Sequence, residues 1–461
     1  MIKIDRRLKS PLYMQIYSQI RDGVIFGFLP PGYHLTDTRQ LAKTLGVGRI
    51  TVLNAYEKLK SEDLIVSRLG SGYLVNPSFI PISQKTMNDK GLLPRQYKVS
   101  FSDLNTKISY QISQMWYKFL SDELKNFSFA DIKENYTFRG INQLLQTIRA
   151  YVFNYAHIVC DPRALVIGNA IEYALEIVVA LTKGHIQKVA IGNLNDKRIM
   201  NFFAKRGVEV IGYYAIDEDT LESFNAQNVD AVFITPSHLH DLGEILSYEK
   251  RRLLMTWVHA KNHRYIIEND YCREYVFGNA LMSLKAMDGD DDRVFYLNSF
   301  SRTLGSDLRT NYLIVPKTME TLLEEEYWYR SCSNPFITQW LIYRFMETGN
   351  YERLIRVEKK KMLIDQAYMI NVFKKNFQDR VTFYGTQSGQ SICVSFKTKL
   401  SNSRLVSLLK DQGVRVSFTD DLFAEEKKVG NSLVFNGSAL ERWQIDYGIA
   451  LIKETFGPYL D

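Results

Sequence analysis

A chain of 461 residues, 46% apolar and 24% charged with only 26 glycines and 11 prolines, is long and mixed enough to bury two or three cores, which excludes a disordered or collagen-like polypeptide. No run reaches about 18 apolar residues, MIKIDRRLKS leads straight into an amphipathic segment, and Cys160, Cys272, Cys332 and Cys393 form no CxxC or Cys/His cluster. A membrane span, an export signal, a disulfide framework and a zinc site are therefore set aside, and a cytoplasmic protein is expected. Charge is uneven: residues 1–77 hold 11 Lys/Arg against 6 Asp/Glu, leaving 47 against 45 in the rest. A small basic module on a nearly neutral large one suits a polyanion partner for the first part.

In chain order, Leu12, Ile16, Ile20, Val24 and Ile25 recur at helical spacing before Gly27, Pro30, Pro31 and Gly32 stop the helix. Asp37 precedes a second run, Arg39 to Leu45, closed by Gly46. Gly48 opens a third helix, with Val52, Tyr56 and Leu59 on one face and Arg49, Thr51 and Asn54 elsewhere. Two short helices with a tight Gly-bearing connection predict a helix-turn-helix. Leu64 to Arg68, a Leu69-Gly70-Ser71-Gly72 turn, and Tyr73 to Val75 then predict a hairpin wing. Arg49 and Thr51 fall on the first turn of the third helix, where side chains reach phosphates and base edges, and the glycine turn lets backbone lie close to a phosphate. The competing reading is a three-helix subdomain with ordinary solvated basic residues.

Pro11-Leu12-Tyr13, Gln15-Ile16, Pro31-Gly32, Thr38-Arg39-Gln40-Leu41-Ala42, Leu45-Gly46-Val47, Arg49, Thr51-Val52, Ala55-Tyr56 and Gly70-Ser71-Gly72 resemble the GntR-family winged helix. The resemblance implies contact with a double-stranded DNA operator through Arg39, Arg49, Thr51 and Gly72. The family commonly has Pro-Ser where this chain has Thr36-Asp37, which still supplies a helix cap but places an acid near the phosphates. The DNA-binding domain is expected over 1–76 and a linker over 77–98, spanning roughly 20–30 Å if flexible.

Beyond the linker, helical patterns alternate with apolar runs at 163–167, 189–191, 208–211, 231–234, 265–267, 294–297 and 312–315, which predicts a mostly parallel α/β sheet. A smaller α+β subdomain is expected over 333–461, with strands at Val381-Thr382-Phe383, Ile392-Cys393-Val394, Val414 to Val416 and Trp443 to Ile445. Within 99–461, Cys160-Asp161-Pro162, Val232 to His238, Glu268-Asn269-Asp270-Tyr271 with Glu274, Ser299 to Leu304, Leu308-Arg309, Tyr351-Glu352-Arg353 and Ile355-Arg356 resemble the fold-type I aminotransferase domain of MocR (GabR-like) regulators. The resemblance implies a head-to-tail homodimer whose aminotransferase-like domain senses an effector and usually binds pyridoxal phosphate (PLP).

PLP chemistry needs a lysine for the Schiff base and a carboxylate that keeps the pyridine nitrogen protonated. The family's lysine position carries Arg302, whose guanidinium is no practical Schiff-base nucleophile, and its pyridine-binding aspartate position carries Asn269. The stacking aromatic falls near Asn195-Asp196 and the substrate-clamping arginine near Gln444, while Tyr271 and Arg309 match the family's ring-oxygen tyrosine and phosphate-binding arginine. Asp241 and Leu242 replace the Pro-Thr expected before Gly243. Arg302 and Arg309 either bind a small anion or pair with Glu268, Asp270, Asp307 or another carboxylate; Tyr271 is either a ligand contact or a packed strand-end tyrosine. His238 and His240 lack matched acids, so no metal is expected. The expectation is a DNA-binding transcription regulator with a degenerate site, no enzyme activity and no PLP cofactor. The alternatives are an orthodox MocR-type regulator that holds PLP, and a working aminotransferase with a DNA-binding arm.

Overall fold

The computed structural model describes residues 4, 11–25, 29–68, 72–79, 97–102, 110–127, 136–192, 197–239, 244–271, 273–278, 281–289, 292–305, 308–389, 391–418, 431–437 and 440–460. They belong to two compact units, Met1–Gln96 and Tyr97–Asp461. Most of the expected linker lies outside the described residues.

In the first unit, α1 (Leu12–Ile25), α2 (Thr38–Leu45) and α3 (Arg49–Ser61) are followed by the antiparallel pair β1 (Ile65–Arg68) and β2 (Gly72–Val75). Ile16, Ile20 and Val24 of α1 share one core with Val52, Ala55, Tyr56 and Leu59 of α3 and with Ile65 and Val75 of the wing. Each fully buried aliphatic there contributes roughly 1.5–3 kcal/mol relative to exposure. The Asp37 carboxylate accepts from the Arg39 and Gln40 amides at 2.8 and 3.4 Å and so starts α2. Gly46, at φ +60, ends it in the left-handed conformation that a Cβ disfavours. The segment before α2 adds a third edge to the wing: the Leu35 amide donates to the Tyr73 carbonyl and the Val75 amide to the Tyr33 carbonyl, each at 2.9 Å.

The second unit begins with β3 (Val99–Ser100) and is centred on a seven-stranded sheet of β4 (Leu165–Gly168), β5 (Lys188–Ile191), β6 (Glu209–Gly212), β7 (Ala231–Ile234), β8 (Tyr265–Asn269), β9 (Val294–Ser299) and β10 (Asn311–Ile314). The strand order is β4-β10-β9-β8-β7-β5-β6, and only β10 runs against its neighbours. Helices cover the sheet, so β4, β7 and β10 are buried at every residue, as their unbroken apolar runs require.

A second, smaller sheet has the order β11 (Val381–Tyr384), β12 (Ser391–Phe396), β15 (Ser432–Asn436), β14 (Ser417–Phe418), all antiparallel, while β13 (Val414–Arg415) pairs in parallel with β3. The expected strand at Trp443 to Ile445 is instead the start of a helix over Arg442–Phe456. Ile445, Ile449, Ile452 and Phe456 recur at helical spacing and are all buried, Trp443 is exposed, and Glu441 with Gln444 forms a capping box. The missing strand is β15.

Nor does the small core begin at residue 333. Ile342, Phe345, Met346, Tyr351, Leu354 and Ile355 belong to the main core, whereas Val99 and Phe101, from the start of this unit, join Met369, Phe373 and Phe435 in the small one. The 28-residue helix Asn350–Phe377 joins the two cores, its first turns in the main one and its last in the small one. At 1.5 Å per residue it spans about 42 Å.

Candidate DNA interface and ligand pocket

Helix α3 starts at Gly48 without a side-chain cap and has no acid in its first turn, so its N-terminal amides present uncompensated positive character. Arg49 is exposed at its first position, Thr51 is half-buried, and Arg39 is exposed on the first turn of α2. The Arg39 amide chiefly, then the Gln40 amide and the charges of Arg39 and Arg49, hold the Asp37 carboxyl below the usual range. Arg49 also faces the wing. Burial and a 3.1 Å bond to Glu57 raise the Tyr73 phenol, and the Arg49 charge works against that rise. Tyr73 packs edge-on against Tyr56 at 5.0 Å, and the Tyr56 hydroxyl donates to the Thr36 carbonyl at 2.7 Å, which locks wing, α3 and the start of α2 together. Gly72 has φ +77 with open space around a notional Cβ, so it is required for its backbone conformation rather than for room. Gly70 and Ser71 lie outside the described residues. The charges of Arg39 and Arg49 thus both reach Asp37, the residue read from the sequence as an acid near the phosphates.

In the second unit, β8 ends at Asn269, which pairs with Leu297 of β9, and Tyr271 follows two residues on. After β9 comes the single-turn helix Ser301–Leu304, fastened by the Phe300 amide to the Thr310 carbonyl at 2.9 Å and by the Thr303 hydroxyl to that of Tyr351 at 3.1 Å. Its Arg302 guanidinium stands 5.7 Å from the Tyr271 ring centre, and the His238 ring meets Tyr271 edge-on at 6.2 Å. Tyr271, Arg302 and His238 are therefore neighbours. Arg309 is exposed and sits at φ +41 just before β10, in a turn where the Asn334 amide donates to the Thr310 hydroxyl at 2.9 Å.

Two of the carboxylates weighed as partners for the two arginines, Glu268 and Asp270, are engaged by other groups. Glu268 accepts the Leu284 and Lys285 amides, each at 2.9 Å, with Arg251 at 3.9 Å. Asp270 accepts from Ser237, from Arg273 at 3.1 Å and from Tyr296 at 3.4 Å. Asp307, His240, Asp241, Leu242, Asn195 and Asp196 lie outside the described residues. Among the described residues no group of three His, Cys, Asp or Glu side chains could hold a metal, and no helix is long and apolar enough to cross a membrane.

Sequence reasoning missed the buried polar network that adjoins this cluster through Asp270 and Tyr296. Glu274 is buried and accepts from Tyr151 at 2.8 Å and Asn298 at 3.2 Å, while its second oxygen has no hydrogen-bond partner among the described residues. Burial pushes its carboxyl up to about 7. Burial also holds the Tyr151, Tyr296, Tyr312 and Tyr351 phenols well above their ordinary range. Only Glu274, beside a quoted motif, was within reach of the pattern; Tyr151 is 123 positions away from it.

Comparison with known proteins agrees with both halves. Residues 12–75 match the family described as bacterial regulatory proteins, gntR family. Along the chain, the HTH-type transcriptional regulator YdeL of Bacillus subtilis (strain 168) is 25% identical and is matched over 90% of each chain. The probable rhizopine catabolism regulatory protein MocR of Rhizobium meliloti is 22% identical, with 90% of this chain and 88% of that protein matched. The crystal structure of an archaeal alanine:glyoxylate aminotransferase superimposes with a TM-score of 0.65 at 18% identity, over 81% of this chain and 93% of the other, which establishes the fold. A winged helix of this family joined to an aminotransferase-like domain defines a DNA-binding transcription regulator. Within that class, this chain is similar to MocR-like regulators with a gntR-family DNA-binding domain.

Proposed function

We propose that this regulator reads a duplex operator through Arg39, Arg49, Thr51 and Gly72, acts in the cytoplasm as a head-to-tail homodimer, and uses its aminotransferase-like domain to sense a small anionic ligand without PLP Schiff-base chemistry. The observation that carries the DNA assignment is the exposure of Arg39 and Arg49 on the first turns of α2 and α3, the latter uncapped and free of acids, within a domain that matches the gntR family. The ligand reading is supported by the guanidinium of Arg302 beside Tyr271. Arg302 and Asn269 do not fit the cofactor that aminotransferases use, because one cannot serve as the amine and the other cannot balance a pyridinium charge.

Arg49→Ala is expected to cost about 1–3 kcal/mol of operator affinity as the loss of a guanine contact, roughly tenfold to a hundredfold. Arg39→Ala is expected to weaken all duplexes alike and to flatten the slope of log affinity against log salt by about 1, as the loss of one phosphate contact. Fluorescence anisotropy over a salt series checks both, and wild-type affinity in the two variants would remove the assigned surface. Sedimentation at micromolar concentration is expected to give a dimer, which would place one winged helix on each of two operator half-sites; monomer alone would contradict that arrangement.

A further inference from the structure

Helix α3 buries Val52, Ala55, Tyr56 and Leu59. At 3.6 residues per turn these four centre on one side of the helix, and Ile50 lies almost directly opposite them. It is 72% exposed, with Arg49 and Thr51 about 100° to either side and Leu53 and Asn54 one turn further along the same outer face. A branched apolar side chain at the apex of the first turn cannot bind a phosphate, and none of the described residues of this unit covers it. When a helix enters the major groove N-terminus first, the outward-facing residues of its first turn meet base edges. The one apolar group that those edges present is the thymine 5-methyl; adenine, guanine and cytosine offer polar atoms there that an isoleucine would strip of water without replacing their hydrogen bonds.

We infer that Ile50 packs on a thymine 5-methyl group in each operator half-site and so selects sequence at that position. This inference rests on the reading of α3 as the helix that enters the groove. Leu53, 37% exposed and three residues on, extends the same apolar ledge along the groove.

The test uses the full-length protein and a duplex that it selects from a random-sequence pool. Each thymine of the half-site is replaced in turn by deoxyuridine, which removes only the methyl group. Wild type is expected to lose about fourfold in affinity at one position per half-site, the worth of one buried methyl. Ile50→Ala, an exposed change that leaves the core untouched, is expected to bind the thymine and deoxyuridine duplexes equally.

A wild-type protein indifferent to every deoxyuridine overturns the inference, and so does a penalty that persists undiminished in Ile50→Ala, because another residue would then read the methyl. Arg49→Ala separates this failure from failure of the underlying assignment. If Arg49→Ala weakens binding while deoxyuridine has no effect, α3 enters the groove but Ile50 reads no methyl. If neither has an effect, or no sequence is selected, α3 does not read the operator and both ideas fall.

Discussion

Purified protein mixed with excess PLP is expected to develop no absorption near about 410–430 nm, where a lysine Schiff base absorbs, and to keep its unmodified mass after borohydride reduction. The position that would have to supply the amine holds Arg302, and a guanidinium stays protonated throughout the physiological range. The position that would hold the ring nitrogen holds Asn269, whose amide can donate or accept a hydrogen bond but cannot balance a positive charge. The buried amine of Lys285 lies 3.7 Å from Asp292 and 4.0 Å from Asp288, so it is committed to a pair of acids. A yellow protein with one PLP-sized adduct on a pocket lysine would return this chain to the orthodox PLP-binding reading. A colourless protein directs the search to phosphates and carboxylates, which thermal shift can screen, with Arg302→Ala expected to abolish any stabilisation they give.

The parts of the molecule legible in the sequence are those that local physics determines. Asp37 and Gly46 bound α2 because one accepts amide hydrogen bonds and the other tolerates φ > 0, and both signals are visible in a single strand of text. The runs at 231–234 and 265–267 read as strands because burial on both sheet faces demands unbroken apolar sequence. Trp443 to Ile445 failed for the complementary reason: three residues do not distinguish period 2 from period 3.6, and only the continuation to Ile449, Ile452 and Phe456 makes the helix clear.

Long-range pairings left no local trace. The contact of Val99 with Val414 assigns the first residues of the second unit to its last subdomain, and no spacing rule predicts it. The candidate pocket divides the same way. The exchange of residue types at Asn269 and Arg302 was readable, whereas the occupation of Glu268 and Asp270 by Arg251, Arg273 and backbone amides required the fold.

Replacing Glu274 with glutamine is expected to remove much of the loss of stability that the protein suffers between pH 5 and pH 8. Burial raises this carboxyl from 4.5 to about 7, with Asp270 adding to the rise and the Tyr151 and Asn298 hydrogen bonds opposing it. Between those values the folded protein retains a proton that the unfolded chain has released. The folded state therefore carries no penalty from this group below about pH 4.5, and stability falls as pH rises through 7, by about 3 kcal/mol in full.

A glutamine side chain at this position would have the same shape, and its carbonyl can accept from Tyr151 and Asn298 as Glu274 Oε1 does at 2.8 and 3.2 Å, but it has no proton to lose. The two proteins should therefore be equally stable at about pH 4, with Glu274→Gln ahead by about 1 kcal/mol at pH 5 and by up to about 3 kcal/mol at pH 8. A smaller slope should persist in the variant, because Glu268 is also raised by burial and by the charge of Asp270. Urea denaturation at four pH values measures the difference, and parallel curves would show that Glu274 is ionised in the folded protein. Because the Glu274 network reaches Asp270 through Asn298 and Tyr296, one residue before Tyr271, the same proton is expected to set the packing beside the candidate pocket.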